Sequence, residues 1–155
     1  MHKVAPNPAR SDLPCNATAM RKASRRMTQL YDDAVQQCGL RSTQFTILAE
    51  LAFAAKPPTM AELAAVLVMD RSALGHNLRP LERDGLVELR EGAIDRRQRH
   101  VVMTAQGKTK VKEATQAWEI AQKRFEAVFG QAESARLRST LLDIAYDERL
   151  GQLRD

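Results

Sequence analysis

Apolar positions recur at helical spacing along most of this chain, interrupted between Leu86 and Met103 by short apolar runs that flank a charged turn. From Ala17 to Cys38, residues Met20, Ala23, Met27, Leu30 or Tyr31, Ala34 and Cys38 share one helical face, and Gly39 stops the helix. Ser42 caps a second helix that runs to about Ala54, buried through Phe45, Leu48 and Leu51 or Ala52, and Pro57-Pro58 ends it. Thr59-Met-Ala-Glu62 has the form of a capping box, and Leu63, Val66 and Leu67 share the face of the helix it starts. Asp70 caps a fourth helix with Leu74, Leu78 and Leu81 inward, and Gly85 sits where that helix would close in a left-handed residue. Pro80 removes the bond to the His76 carbonyl and predicts either a bend or an earlier end to this helix. An apolar run at Leu86–Leu89, a turn at Glu91-Gly92, the charged run Asp95–His100 and the strand Val101–Met103 follow. The expected fold is mostly α with a small β-hairpin wing, a winged helix-turn-helix on a helical dimerisation platform.

That platform comes from the ends of the chain. After Gly107, residues Val111, Ala114, Trp118, Ala121, Phe125 and Val128 alternate steps of three and four, a heptad-like seam. Gly130 breaks it, and a last helix from about Ala132 to Leu150 carries Leu137, Leu141, Ile144 and Ala145. These faces lie too far along the chain from the winged module to be its core. They predict pairing across a twofold axis; a monomeric bundle of the same three helices is the alternative. The division expected is a flexible arm over 1–14, which holds three prolines, and one domain over 15–155. Within it, 15–39 and 107–150 are dimerisation helices and 42–106 the winged module.

A recognition helix needs short or hydrogen-bonding side chains on its exposed N-terminal turns to reach base edges in the major groove. With the leucines inward, Arg71, Ser72, Gly75, His76 and Arg79 face outward and Asn77 lies at the margin. Each alone reads almost as well as a solvated position; as a set behind Asp70 they predict a DNA-reading face. At the wing, Arg96, Arg97 and Arg99 fall within four positions and cannot be buried together. One of Arg96 and Arg97 is expected in the narrow minor groove, with Arg99 or His100 against phosphate.

Composition narrows the field. At 155 residues the chain is one domain, and 5% aromatics with few glycines suit a helical protein. The net charge of +5 fits an anionic partner only because of placement: between Thr59 and Gly107 arginines and acids cancel, but the wing tip concentrates the arginines. No apolar run approaches the ~18 residues of a membrane span and the N-terminus lacks a signal-peptide core, so a cytoplasmic protein is expected. His2, His76 and His100 are scattered, and neither a metal spacing nor a glycine-rich phosphate loop is present, so no enzyme, catalytic residue, metal or cofactor is expected.

The order of elements, "LERDGLVELR" leaving the fourth helix and "DRRQRHVVMTAQG" through the wing, resembles the MarR family of bacterial transcription regulators over about residues 17–150. That family's aspartate-x-arginine falls on Asp95 and Arg97, followed by the apolar strand, Thr104 and Gly107. The resemblance implies that Arg97 pairs with Asp95 to fix the wing tip. It implies a homodimer built from the first and last two helices, double-stranded DNA as partner, and repression of a pseudo-palindromic operator with half-sites ~34 Å apart. It also implies a pocket for an aromatic or phenolic anion where platform and winged module meet. Met20, Arg21, Met27, Tyr31, Phe45 and Phe53 are this chain's candidates for it, although each reads first as core or solvated helix. Some members sense organic hydroperoxides through a cysteine near the first helix. Here Cys15 falls two residues before that position, which is Ala17, Tyr31 matches one accompanying tyrosine and Phe45 replaces the other. Cys15 and Cys38 stand ~35 Å apart on one predicted helix, which excludes a disulfide between them. A dimeric interaction module that binds protein rather than DNA is the alternative from another class.

Overall fold

The computed structural model describes residues 9, 10, 13–93 and 95–151. Six helices and one hairpin follow in order: α1 (Asn16–Val35), α2 (Ser42–Phe53), α3 (Met60–Val66), α4 (Arg71–Arg83), β1 (Val87–Glu91), β2 (Arg99–Met103), α5 (Ala105–Phe129) and α6 (Gln131–Ala145). The expected arm over 1–14 falls mostly outside the described residues. Ile47, Leu48, Leu63, Leu74, Leu78, Leu81, Val87 and Val101 are fully buried and join α2, α3, α4 and the hairpin into one core, against which α5 packs.

Local chemistry sets the boundaries. Thr59 accepts the Glu62 N–H at 3.1 Å while Glu62 accepts the Thr59 N–H at 2.7 Å, completing the capping box of α3. The Thr59 amide, with Lys56 and His100 nearby, holds the Glu62 carboxyl below the ordinary glutamate range. Its stabilising contribution is therefore present above that range and is lost as pH falls through the lowered value. Asp70 accepts the Ala73 N–H at 2.7 Å and caps α4, a contact generally worth ~1 kcal/mol. Gly85 closes α4 with the positive φ of 71° expected there, Gly39 is left-handed at φ 73°, and Gly130 ends α5 at φ 86° and ψ 144°.

Several expectations are corrected. The first helix ends at Val35 and continues only as a 3-10 turn, Gln36–Cys38. Arg41, not Ser42, occupies the cap of α2, and Ser42 instead gives its N–H to Asp32 at 2.6 Å. On α3 Val66 is 45% exposed and Ala64 joins Leu63 in the core, because a two-turn helix buries only one narrow edge. Pro80 lies inside α4, which runs on to Arg83, so the helix does not end early. Thr104 starts α5 two residues before Gly107 by accepting the Gly107 N–H at 3.0 Å. Finally, α6 stops at Ala145, and a separate 3-10 turn, Glu148–Leu150, follows.

The hairpin is antiparallel, from Val87 opposite Met103 to Glu91 opposite Arg99. Its second strand also touches the α2–α3 connection: Val101 gives its N–H to the Pro58 carbonyl at 2.8 Å, and Thr59 bridges His100. Thr104 anchors the start of α5 to the strand entry, its hydroxyl donating to the Gly85 carbonyl at 2.7 Å. On the platform α1 packs along α5, but Leu137, Leu141, Leu142 and Ile144 of α6 and Val128 and Phe129 of α5 remain exposed.

Candidate nucleic-acid interface

Helix α4 presents its N-terminal turns outward behind the Asp70 cap. Arg71, Ser72, His76 and Arg79 are exposed: Ser72, His76 and Arg79 lie on the side opposite the buried Leu74, Leu78 and Leu81, and Arg71 is the first residue of the helix. Gly75 is half-buried within this polar set, and a Cβ built on it would meet nothing within 4 Å. No intramolecular packing therefore requires a glycine at a helical position where it costs ~1 kcal/mol relative to alanine. Asn77 is set differently from the others: its side-chain amide donates to the Ala73 carbonyl at 2.8 Å, committing it to its own helix. Between α3 and α4 the chain turns through Val68 at φ 51°, left-handed backbone that a β-branched residue adopts only under constraint.

The wing tip is built by backbone rather than by an ion pair. Gly92 gives its N–H to the Gln98 carbonyl at 2.8 Å, and Gln98 gives its own to the Asp95 carbonyl at 3.0 Å. A Cβ on Gly92 would lie 2.6 Å from the Asp95 carbonyl oxygen, so only glycine fits there. Asp95 does hold residue 97, but through the Arg97 backbone N–H at 2.9 Å. The Asp95–Arg97 contact is thus made to the backbone of residue 97, and the Arg97 guanidinium is left exposed. Among the described residues Arg96, Arg97 and Arg99 form no ion pair, and all three are exposed. His100 also serves the fold: its Nδ1 lies 3.1 Å from the Pro57 carbonyl oxygen, which ties the wing to the end of α2.

The effector candidates divide into two groups. Met27, Tyr31 and Phe45 line one cleft of about 260 Å³ between α1, α2 and α5, together with Ser24, Thr28, Thr46 and Trp118. Met20 and Arg21 are exposed on the first turns of α1 and do not line it. Phe53 is 88% exposed at the far end of α2. Sequence reasoning passed over the hydroxyls of the cleft, although Ser24 with Thr28 and Ser42 with Thr46 stand four apart on helices and so share faces. Phe45 and Trp118 stack at 6.2 Å across the cleft wall. The Tyr31 hydroxyl donates to Gln122 at 2.7 Å, and Gln122 donates onward to Glu126 at 2.7 Å. Burial, reinforced by Glu126, pushes the Tyr31 phenol up.

Cys15 caps α1 and accepts the Thr18 hydroxyl at 3.3 Å; that bond, with the Thr18 backbone N–H, draws its thiol pKa down. Cys38 is buried, which pushes its thiol up, and both cysteines are free. Among the described residues no group of His, Cys, Asp or Glu is placed to hold a metal ion, and no helix is long and apolar enough to cross a membrane.

Comparison with known proteins places this geometry. The model of the MarR family matches residues 39–98, from the end of α1 through the wing tip. No curated protein matches the chain significantly by sequence. Among solved structures, the M. tuberculosis transcriptional regulator MosR in complex with DNA superposes with a TM-score of 0.80 and 32% identity, over 90% of this chain and 99% of that one. The transcriptional repressor CouR bound to a 23-mer DNA duplex gives 0.76 and 25%, over 85% of this chain and 93% of that one. CouR from Rhodococcus jostii RHA1 bound to p-coumaroyl-CoA gives 0.73 and 20%, over 84% and 91%. These relatives regulate transcription and are not enzymes. With a relative 32% identical along 90% of its length, and the helix-turn-helix and wing in the expected order, the chain belongs to the MarR family of transcription regulators.

Proposed function

We propose that the chain is a homodimeric repressor that reads a pseudo-palindromic operator and is released by a small aromatic or phenolic ligand. The observation that carries this reading is the pairing of an exposed polar α4 face with three exposed wing arginines that have no ion-pair partner among the described residues. α4 enters the major groove with Arg71, Ser72, His76 and Arg79 at base edges and phosphates, and one of Arg96 and Arg97 enters the minor groove. Asn77, tied to Ala73, shapes the helix rather than reading a base. The apolar residues left exposed on α5 and α6 are the surface a second copy covers, and they disfavour a closed monomeric bundle. CouR, a transcriptional repressor, supports repression here.

For the effector, the cleft lined by Met27, Tyr31, Phe45 and Trp118 has room for one substituted aromatic ring, and its hydroxyl pairs suit a polar substituent. A ligand that favours the arrangement with misplaced recognition helices releases DNA by its differential affinity for that state. The dimeric, DNA-binding reading is tested by sedimentation at micromolar concentration together with anisotropy titration of promoter fragments that carry inverted repeats. A dimer that binds one inverted repeat is expected; a lone subunit that shifts no promoter fragment in dilute buffer refutes the reading.

Gly75→Ala gives a finer test of the reading face. Alanine removes a helix penalty of ~1 kcal/mol and meets no neighbour, so thermal stability should rise. Operator affinity should fall by on the order of tenfold as the added methyl meets the groove floor. A variant that is more stable and binds equally well would take α4 out of close contact with DNA at that position.

A further inference from the structure

The end of α3 is held by a residue far away in the chain. Of its last carbonyls, Leu63 accepts from the Leu67 N–H, Ala64 from the Met69 N–H and Ala65 from the Val68 N–H. The Val66 carbonyl accepts instead from the Tyr146 hydroxyl at 2.6 Å, 80 residues distant. This carbonyl lies two residues before Val68, whose φ of 51° makes the turn that aims α4. The turn is thus a constrained piece of backbone with one of its end groups satisfied from another helix.

Tyr146 is itself fixed. Its N–H bonds to the Leu142 carbonyl at 3.0 Å, closing α6. The next residue, Asp147, accepts the Arg149 N–H at 3.0 Å and the Arg149 guanidinium at 2.8 and 2.6 Å, which folds the chain into the 3-10 turn behind the tyrosine. Tyr146 follows directly on the exposed apolar residues Leu141, Leu142 and Ile144. The hydroxyl therefore runs from the surface assigned to the partner protomer straight to the helix-turn-helix, bypassing α5.

We propose that Tyr146 is a positioning residue for DNA reading: its hydroxyl ties the turn between α3 and α4 to the dimerisation platform and so sets the separation of the two recognition helices. This rests on the dimeric, operator-binding reading above. Tyr146 touches no DNA in this account; it acts through the turn. Once the hydroxyl is gone, each α4 still fits its own half-site, but the spacing between the two is less well held.

The test is Tyr146→Phe, which keeps the ring and deletes only the donor. Anisotropy titrations compare wild type and variant on the inverted repeat, on inverted repeats with the half-site spacing lengthened or shortened by single base pairs, and on a duplex carrying one half-site. The variant is expected to lose about three- to tenfold on the best-spaced repeat, the worth of one hydrogen bond, with half-site affinity unchanged and a flatter dependence on spacing. Equal losses on half-site and repeat would mark a merely local contact and overturn the proposal, as would identical spacing profiles. Wild-type protein that sediments as a monomer or ignores the repeat overturns both this proposal and the reading beneath it. Failure of the variant alone, with wild type dimeric and bound, counts against Tyr146 only.

Discussion

Replacing Arg96 and Arg97 together by alanine is expected to weaken operator binding about a hundredfold and to flatten its salt dependence. The double substitution takes four charges from a dimer, and each phosphate neutralised contributes about 0.9 to the slope of log affinity against log salt, so the slope should fall by about 3 to 4. The loop should survive the change. Asp95 holds this tip through the backbone N–H of residue 97, which alanine retains, and not through a guanidinium. Charge and fold are therefore separable here, as they would not be if Asp95 held the tip through the Arg97 guanidinium. Anisotropy titrations between about 50 and 200 mM salt, with unfolding curves as control, provide the measurement. An unchanged slope with intact folding would place both arginines away from the duplex.

Gly107→Ala should cost about 3 kcal/mol or more, lowering the melting temperature by roughly 6–12 °C in a chain of this size. Helix propensity alone points the other way, since Gly107 lies in the first turn of α5 and alanine is the better helix former. Packing decides the sign. A Cβ there would stand 2.1 Å from the Leu86 carbonyl oxygen and 2.8 Å from Met103 Cγ. The first neighbour is backbone at the entry to β1, held against α5 by the Thr104 bonds, and it has nowhere to move. The same substitution at Gly75 meets open space, so thermal unfolding of the two variants should show shifts of opposite sign. A neutral Gly107→Ala would mean that the junction of wing and α5 is far softer than its close packing indicates.

Residues that act through their immediate neighbours were the legible ones. Thr59 with Glu62, Asp70, and the glycines at 39, 85 and 130 each do their work within four positions, and each lies where the pattern puts it. The face of α4 was legible for the same reason, because three leucines at helical spacing leave the opposite side to Ser72, His76 and Arg79. Interactions between segments distant in sequence were not. Nothing local tells His100 to dock on Pro57 or Tyr146 to reach Val66. Phe45 and Phe53 share a helix and look alike in sequence, yet one is 7% exposed and the other 88%, because α2 leaves the core before its last turn. The contact of Arg97 with Asp95 was legible, but not that the backbone N–H makes it. The bond from the Asn77 amide to its own helix was not legible, since spacing cannot choose between that carbonyl and an outside partner.

The contact between β2 and the α2–α3 connection bears on colloidal behaviour. A two-stranded hairpin ordinarily offers two rows of unpaired amides and carbonyls on which a misfolded neighbour can grow. Here the Pro58 carbonyl and the Thr59 bridge already occupy positions on the outer row of β2. The other row belongs to β1, where Glu88, Arg90 and Glu91 put charge along the strand. So exposed a wing is in this way guarded against strand-to-strand aggregation on one flank by the Pro58–Thr59 segment and on the other by charge.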